Sequence, residues 1–520
     1  MTSKNSVSFE EALNKTGFGK FNILAFLVSL SLIMGMALEV VSVAYLVPAS
    51  ACELHTTTAQ QGLMAGAPLL GIIATSHCQG YLADTRGRRK VLGWSMCVAF
   101  LCGACAALAT NWIVFCVLKI MSSAALAGTI PLSISWLSEC TPQHKRSMMV
   151  SLTSTMYLIT TGTMELSCLS LIYLKYNLLR YHNCISVLAL PVLQLEFSYY
   201  IPYLNIYFSS WRLLNLIFAS GCAVAAMAIF SSYESPRYYL RMGKDEDALE
   251  VLREIFTLNT GKKAKDYEVT SVYLGEDTGV PTKGMFSSIM AQTIPLLKPP
   301  LLKNTILISV MFVIAYAGTN AFVVWLPFIA DSIMKAKEKG EDMSFCEMLE
   351  STQNTTVTES TDCSLNSFAL LTVFVSSMLI AVVNIVLSAV INYVGRKRMV
   401  IGVQLIAGIA GLCISGANSW ILSTCCFIVY LMGTVNFGFI STFSVDVFPT
   451  YVKAMAVCLT LMVGRVSSFV GINVIKNLLT TNCQVAFYSF AALTFVGAFV
   501  ATLLPNDVKR SKGSTDAVST

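Results

Sequence analysis

The stretch Gly80-Tyr81-Leu82-Ala83-Asp84-Thr85-Arg86-Gly87-Arg88-Arg89-Lys90 places one acid and four bases between two long uncharged runs. A reduced copy, Asn392-Tyr393-Val394-Gly395-Arg396-Lys397-Arg398, follows, its glycine 308 positions after Gly87. Downstream of each comes an acid, a proline and a base: Glu139, Pro142 and Arg146, then Asp446, Pro449 and Lys453, each pair 307 positions apart. A repeat of this length implies two halves of matching layout, and membrane-length apolar segments in both imply a carrier that rocks one half against the other.

Composition agrees. Hydrophobic residues make up 55% of 520 positions and charged ones 12%, about half the charged share of a soluble domain. One globular core cannot hide that much apolar surface, so lipid must solvate much of it. Phe21–Leu38, Leu54–Ala83, Ser364–Gly395 and Asn477–Asn506 contain no Asp, Glu, Lys or Arg. The polar first 20 residues, with Lys4, Lys15 and Lys20, show no cleavage-like pattern. Most of the 17 cysteines sit in apolar runs as small hydrophobes. Cys346 and Cys363 share a polar loop and are expected to pair if it faces an oxidising side. The four histidines are scattered, so neither a metal site nor a cofactor is expected. The net charge of +6 reflects one-sided loops, not nucleic-acid binding.

The pattern predicts an all-α membrane protein of twelve spans: 21–48, 60–83, 91–109, 112–137, 147–169, 211–233, 304–330, 366–391, 399–417, 420–443, 454–476 and 484–504. Two six-helix bundles, 21–233 and 304–504, follow an N-terminal tail (1–20), are joined by a central loop (234–303) and end in a tail (505–520). Lys and Arg collect after spans 2, 4, 8 and 12 and are missing after spans 1, 3 and 9. Short cytosolic loops gather such residues, so both termini are expected in the cytosol. Leu249, Leu252 and Phe256 have helical spacing in the central loop. The external loop 331–365 carries the sequon Asn354-Thr355-Thr356, a glycosylation candidate. Trp211 follows Arg146 by 65 positions, whereas Gln484 follows Lys453 by 31. The surplus near 166–188, with Lys175, Arg180 and His182, reads as an external insertion or as a gene-model artefact.

The run 80–90 resembles the signature loop between helices 2 and 3 of the major facilitator superfamily, and 392–398 its reduced second copy without the acid. Glu234-Ser235-Pro236-Arg237 resembles the exit motif of sugar porters, organic-ion transporters and synaptic vesicle glycoprotein 2 relatives. Met36–Val41 leading to Leu46-Val47-Pro48-Ala49, Ser210-Trp211-Arg212, and Gly243-Lys244 with Ala248 resemble the last group. Lys119 departs from the Arg of many relatives, and the external loop after span 7 is short for a synaptic vesicle glycoprotein. The resemblance implies a twelve-helix carrier of a small organic solute, an organic ion or sugar-like, on a plasma or vesicle membrane.

Two classes of charge stand out. At the cytosolic helix ends, Asp84, Arg88, Glu139 and Arg146, with Arg396, Asp446 and Lys453, form a candidate gating network that bridges helices in one state only. The competing reading is that these bases fix topology, and Lys90 and Arg398 fit it better. Within spans, an ionised group costs at least about 2.5–3.5 kcal/mol unless paired or wetted. Glu39 in span 1 and Lys119 in span 4 fall at similar depth and suit either a structural ion pair or, for Glu39, a proton or cation site facing the central cavity. Arg465 in span 11 is too deep to reach either surface and is a candidate substrate contact. Tyr316, Asn320 and Trp325 in span 7 are candidates for a pocket lining, helix packing being the alternative, above all for Trp325. Gly128 and Pro131, like Gly433 and Gly438, suit close packing and bending.

The leading expectation is therefore an alternating-access carrier whose partners are a small organic solute, the bilayer and a coupling proton or cation. No Gly-x-x-x-x-Gly-Lys-Ser/Thr run supports ATP-driven pumping, and no hydrolytic constellation supports an enzyme. The alternative is a transporter-like vesicle membrane protein acting in binding or trafficking, which would have no need of an intact gating set.

Overall fold

The computed structural model describes residues 6–146, 149, 153, 198–203, 206–273, 290, 293–338, 344–349, 367–417, 419–448 and 453–505. Eleven of the twelve expected spans fall within these residues and are helical. Of the fifth, 147–169, only Met149 and Thr153 are described; residues 166–188, Asn354 and Cys363 lie outside the described residues. In the first half the spans are Lys20–Ser50, Thr58–Arg86, Arg88–Ala106, Trp112–Glu139 and Ser210–Phe230. In the second they are Leu302–Glu338, Ser367–Val394, Arg396–Cys413, Trp420–Val447, Lys453–Thr481 and Cys483–Thr502. Eight of the described helices are long and apolar enough to cross a bilayer. The outer faces of the described spans expose Ile23, Leu24 and Leu27, Val98 and Leu101, Val382 and Val386, and Ile406 and Ile409, a surface only lipid would solvate.

The repeat survives as backbone geometry. Gly87 and Gly395 each close one helix and open the next with the same conformation, φ 96° and ψ 145° in the first and φ 91° and ψ 142° in the second. An L side chain rarely adopts such angles, so the glycine is dictated at both positions. Gly87 is constrained twice, because a Cβ there would lie 2.5 Å from Oε2 of Glu234.

Several spans are interrupted, and the freed backbone groups are re-satisfied by neighbours, as hydrocarbon demands. Span 4 breaks at Ala127-Gly128 between Trp112–Leu126 and Thr129–Glu139. There Gln79 of span 2 accepts the Gly128 N–H at 2.7 Å and donates to Ala124 O at 2.8 Å and to Ala125 O. A π-helical turn, Tyr316–Asn320, interrupts span 7, and a 3-10 turn, Met432–Val435, interrupts span 10. Gly433 lets that turn approach Thr319, whereas Gly438 faces open space and has no packing role of this kind.

Two features mark the opposite ends of the bundle. At one end Cys346 is joined to Cys483 at the start of span 12, with a Cα–Cα distance of 5.5 Å. This corrects the expected Cys346–Cys363 pairing. Phe345, Cys346, Met348 and Leu349 are buried against spans 7, 10 and 12, so hydrophobic docking delivers Cys346 to Cys483. Cys52, in the loop after span 1, is also disulfide-bonded. At the other end lie Gly87, Gly395 and their basic residues, hereafter the basic face.

The N-terminal residues are not the plain polar tail that their composition suggests. Ser6–Ser8 pairs in parallel with Ser271–Tyr273 of the central loop, and the helix Phe9–Lys15 follows. Phe9, Ala12 and Leu13 bury against Leu249, Leu252 and Phe256 of the helix Asp245–Thr260, whose amphipathic spacing is thus explained. Asn259 fixes this unit to span 1, accepting the Phe21 N–H at 3.1 Å and donating to Gly17 O at 2.9 Å.

The glycine constraint is directly checkable. Gly87→Ala is expected to cost about 1–3 kcal/mol from backbone strain alone, lowering the thermal unfolding midpoint in detergent. Gly80, seven residues earlier and with nothing within 4 Å of an added Cβ, is the control. Gly80→Ala should leave the midpoint unchanged or raise it, and equal midpoints for the two variants would refute the argument.

Candidate functional site

The two halves meet along a seam built from small residues. Span 2 lies against span 11 so closely that a Cβ on Gly62 would fall 2.7 Å from Oδ1 of Asn473, and one on Gly66 would fall 2.6 Å from the Phe469 ring. Deeper along the same face, Arg465 Nη1 donates to Ser76 Oγ at 3.0 Å. Val43–Ser50 of span 1 packs on Ala321–Glu338 of span 7. Among the described residues these are the extensive contacts between halves, and they lie in the disulfide end and the middle of the bundle.

Arg465 is half-buried at this seam, and Ser76 is its one described hydrogen-bond partner. A guanidinium carries five N–H donors, so a single neutral hydroxyl leaves most of its capacity open. Tyr316 packs on Gly464, the residue before Arg465: a Cβ there would lie 2.5 Å from the Tyr316 ring, which also meets Phe437 edge-on with centroids 5.4 Å apart. Asn320 donates to Ser468 Oγ at 3.5 Å. Both Tyr316 and Asn320 are on the π-helical turn, a distortion frequent at functional sites. Trp325 is different. Its ring is 1% exposed and its indole N–H donates to Ile472 O at 2.9 Å, which makes it a packing residue between spans 7 and 11.

Glu39 and Lys119 do pair, at 2.8 Å, with both side chains fully buried. Ser122 donates to the same carboxylate oxygen at 2.8 Å, and Lys119 also donates to Ser42 Oγ at 3.2 Å. Gly103 of span 3 makes room, since a Cβ there would lie 2.8 Å from the carboxylate. The pair is thus enclosed by spans 1, 3 and 4 of the first half. This corrects the expectation of a cavity-facing Glu39: its carboxylate is sealed inside a bundle, away from the seam.

At the basic face Arg88 Nη1 lies 2.7 Å from Glu139 Oε2, both side chains 6% exposed. Asp84 lies 3.6 Å from Arg88 and 3.4 Å from Arg241. Ser235 donates to Glu139 at 2.5 Å, and Glu234 accepts the Arg89 N–H at 2.9 Å, capping span 3 where the helix dipole favours an anion. Tyr238 covers this corner; burial and the nearby Glu234 carboxylate push its phenol above the usual range. Arg146 is not in the set. Its guanidinium makes a bidentate pair with Glu10 of the N-terminal helix, at 3.1 and 2.7 Å. The network therefore ties spans 2, 3 and 4 to the exit segment within one half. Arg396 opens span 9, and the side chains of Asp446 and Lys453 lie outside the described residues.

Residues 25–177 match the Major Facilitator Superfamily profile. Synaptic vesicle glycoprotein 2B of Homo sapiens is 22% identical over 355 residues, covering 64% of this chain and 49% of that protein. Synaptic vesicle glycoprotein 2A of Rattus norvegicus is 26% identical over 265 residues, covering 51% and 33%. The inward-open xylose transporter XylE from E. coli superposes with a TM-score of 0.64 at 13% identity, covering 94% of this chain and 98% of that one. Its partially occluded inward-open form gives 0.62 at 16% identity, covering 95% and 99%. The chain has the major facilitator fold, and residues 25–177 match that family's model. It spans about half the length, or less, of the synaptic vesicle glycoproteins it matches.

Two arrangements in this facilitator fold escaped the sequence reading. Glu53, in the loop after span 1, accepts from Ser209 Oγ and Trp211 Nε1, each at 2.6 Å, and from Arg212 Nε and Nη2 at 2.9 and 2.6 Å. Arg212, 1% exposed, also donates to Ala107 O and Ala109 O, clasping spans 1, 3 and 6 at the disulfide end. The Ser210-Trp211-Arg212 motif was visible, but its acid lies far away in sequence. The other is Lys476, 3% exposed, with Nζ 3.2 Å from the Phe328 ring centroid and 4.7 Å from that of Trp325. Among the described residues it has no ion-pair partner. Cation–π contacts return about 0.5–2 kcal/mol, against at least about 2.5–3.5 kcal/mol for a lysine in hydrocarbon.

The sealed pair yields a prediction. Glu39→Gln strands Lys119 and should cost about 3–5 kcal/mol, while Glu39→Leu with Lys119→Met should recover most of it. Thermal midpoints in detergent check this. A Glu39→Gln protein that is stable yet loses solute uptake would restore the coupling role and sink the structural one.

Proposed function

We propose that the chain is a carrier that moves a small organic solute across a membrane by alternating access, with the seam between spans 2, 7 and 11 as its path. The observation that carries this reading is the seam itself. Its halves touch through glycines, Asn473, the Phe469 ring and the Arg465–Ser76 hydrogen bond, so among the described residues it opens without separating an ion pair, whereas the buried pairs Glu39–Lys119 and Arg88–Glu139 lie inside the first half and hold it rigid. Arg465, Tyr316 and Asn320 are the proposed solute contacts. The basic face is proposed to be cytosolic, with both termini there, because the loop bases gather on it and the disulfide on the other. With the extensive contacts at the disulfide end, the conformation is then inward-facing, the state named for the xylose transporter it resembles. The network Asp84, Arg88, Glu139 is proposed to brace the first half as it rocks, with Arg396, Asp446 and Lys453 serving the second. Coupling to a proton or cation remains part of the reading, but not through Glu39. The vesicle glycoprotein likeness supports a second reading, a membrane protein of vesicles that binds without transporting. The intact bracing network and the separable seam favour the carrier.

A cross-link across the seam tests it. Gly62→Cys with Asn473→Cys places two thiols at the close approach. In proteoliposomes screened with labelled organic anions, cations and sugars, the oxidised double variant should lose at least about tenfold of whatever uptake the wild type shows, and reductant should restore it. Single-cysteine variants control for reduction of the native disulfides. Unchanged uptake in the fully cross-linked protein rules out rocking at this seam, and no uptake of any solute favours the binding-only reading.

A further inference from the structure

The charges of the described spans do not balance along the path, and the imbalance has a sign. Away from the helix ends, Glu39 is the one acid, and Lys119 neutralises it inside the first half. Asp331, near the disulfide end of span 7, is paired with Lys335 at 2.8 Å. Span 11 contributes no acid between Lys453 and Thr481, but two bases, Arg465 and Lys476. They are eleven residues apart, which is three helical turns, so they share one face at an axial separation of roughly 16 Å. That face is the seam: between them Phe469 and Asn473 touch Gly66 and Gly62 of span 2. Neither base meets a carboxylate among the described residues. Arg465 has a neutral hydroxyl. Lys476 has two ring faces, and Trp325 cannot help further because its N–H is committed to Ile472 O.

We propose that Lys476 is a second cationic subsite, nearer the disulfide face than Arg465, and that the solute is an organic anion passed between them. This rests on the carrier reading and names its substrate class. A negative group supplies the missing counter-charge at each base, and the rings near them, Phe328 at one and Tyr316 and Phe437 toward the other, suit an apolar body on that anion. When the seam is closed at the disulfide end, as here, Lys476 is shut off from water and only Arg465 is half-open. Opening the seam at that end uncovers Lys476 first.

The test uses the full chain in proteoliposomes with labelled benzoate, succinate, tetraethylammonium and glucose. Wild type should take up one or both carboxylates saturably and neither of the others. Lys476→Met should raise KM for the carboxylate at least about tenfold, and Lys476→Arg should restore it to within about threefold. In parallel, millimolar benzoate or succinate should raise the unfolding midpoint of wild type and of Lys476→Arg but not of Lys476→Met, which also shows whether each variant folds. Uptake of tetraethylammonium or glucose without either carboxylate overturns the anion assignment and leaves the carrier reading standing. Carboxylate uptake with unchanged KM in folded Lys476→Met overturns the subsite. A Lys476-dependent midpoint shift with no uptake of any solute keeps the site and overturns the carrier. Neither shift nor carboxylate uptake overturns the proposal outright.

Discussion

Hydrocarbon offers no water to an ionised side chain, and this constraint governs the described charges of the spans. Glu39 and Lys119 satisfy each other within the first half, with Ser122 and Ser42 taking up further bonds. Arg212 reaches Glu53 and two backbone carbonyls where spans 1, 3 and 6 end. Arg88 and Glu139 meet at the opposite end. Buried ion pairs contribute little net stability against apolar replacements, but breaking one leaves a stranded charge. Their effect is to make the relative positions of spans within the first half expensive to change.

The same economy explains why the repeat is unequal. Gly87 and Gly395 impose the same turn, so the backbone device is shared by both halves. In the first half the turn is also a binding site for the exit segment, because Glu234 caps span 3 and Ser235 holds Glu139. That segment leads into the helix Asp245–Thr260, onto which the N-terminal helix folds, and Glu10 then captures Arg146. The first half thereby gains an assembly on its basic face. Loss of the acid from the second copy fits a turn that no longer organises such an assembly.

How much of this was legible in the sequence depended on the range of the interaction. The spans were readable because apolar length is a local property, and the glycine turns because a repeat announces them. The Glu39–Lys119 pair was one of two readings that their similar depth left open: opposite charges at one level of a bilayer can meet, and each is costly there without a partner. Its sealing was not readable, since that depends on Gly103 and on the rotation of span 1 about its axis. The Cys346 partner was misjudged because loop membership seemed to limit the choice, whereas docking of Phe345 and Leu349 carried the thiol to span 12. Arg146 was misassigned because the N-terminal residues look like a tail until their parallel pairing with the central loop is seen. Lys476 is the last residue of the expected eleventh span, where sequence offers nothing to single it out, and only its burial between rings does so.

A carrier must hold each half together more strongly than it holds the two halves to each other, and the distribution of contact types meets that requirement. Separating an ion pair buried inside a half costs about 3–5 kcal/mol for each charge stranded. Parting a glycine-lined seam forfeits dispersion contacts that lipid or a solvated cavity partly replaces, and leaves no charge uncovered except those already lacking a carboxylate. Those exceptions, Arg465 and Lys476, sit where the separation occurs. An ionisable group inside a membrane that is left without a counter-ion raises the energy of the empty path, and a solute of opposite charge lowers it again. In the proposed carrier the seam then closes more readily around an occupant than around nothing, and the proposal couples occupancy to conformational change through the same two side chains.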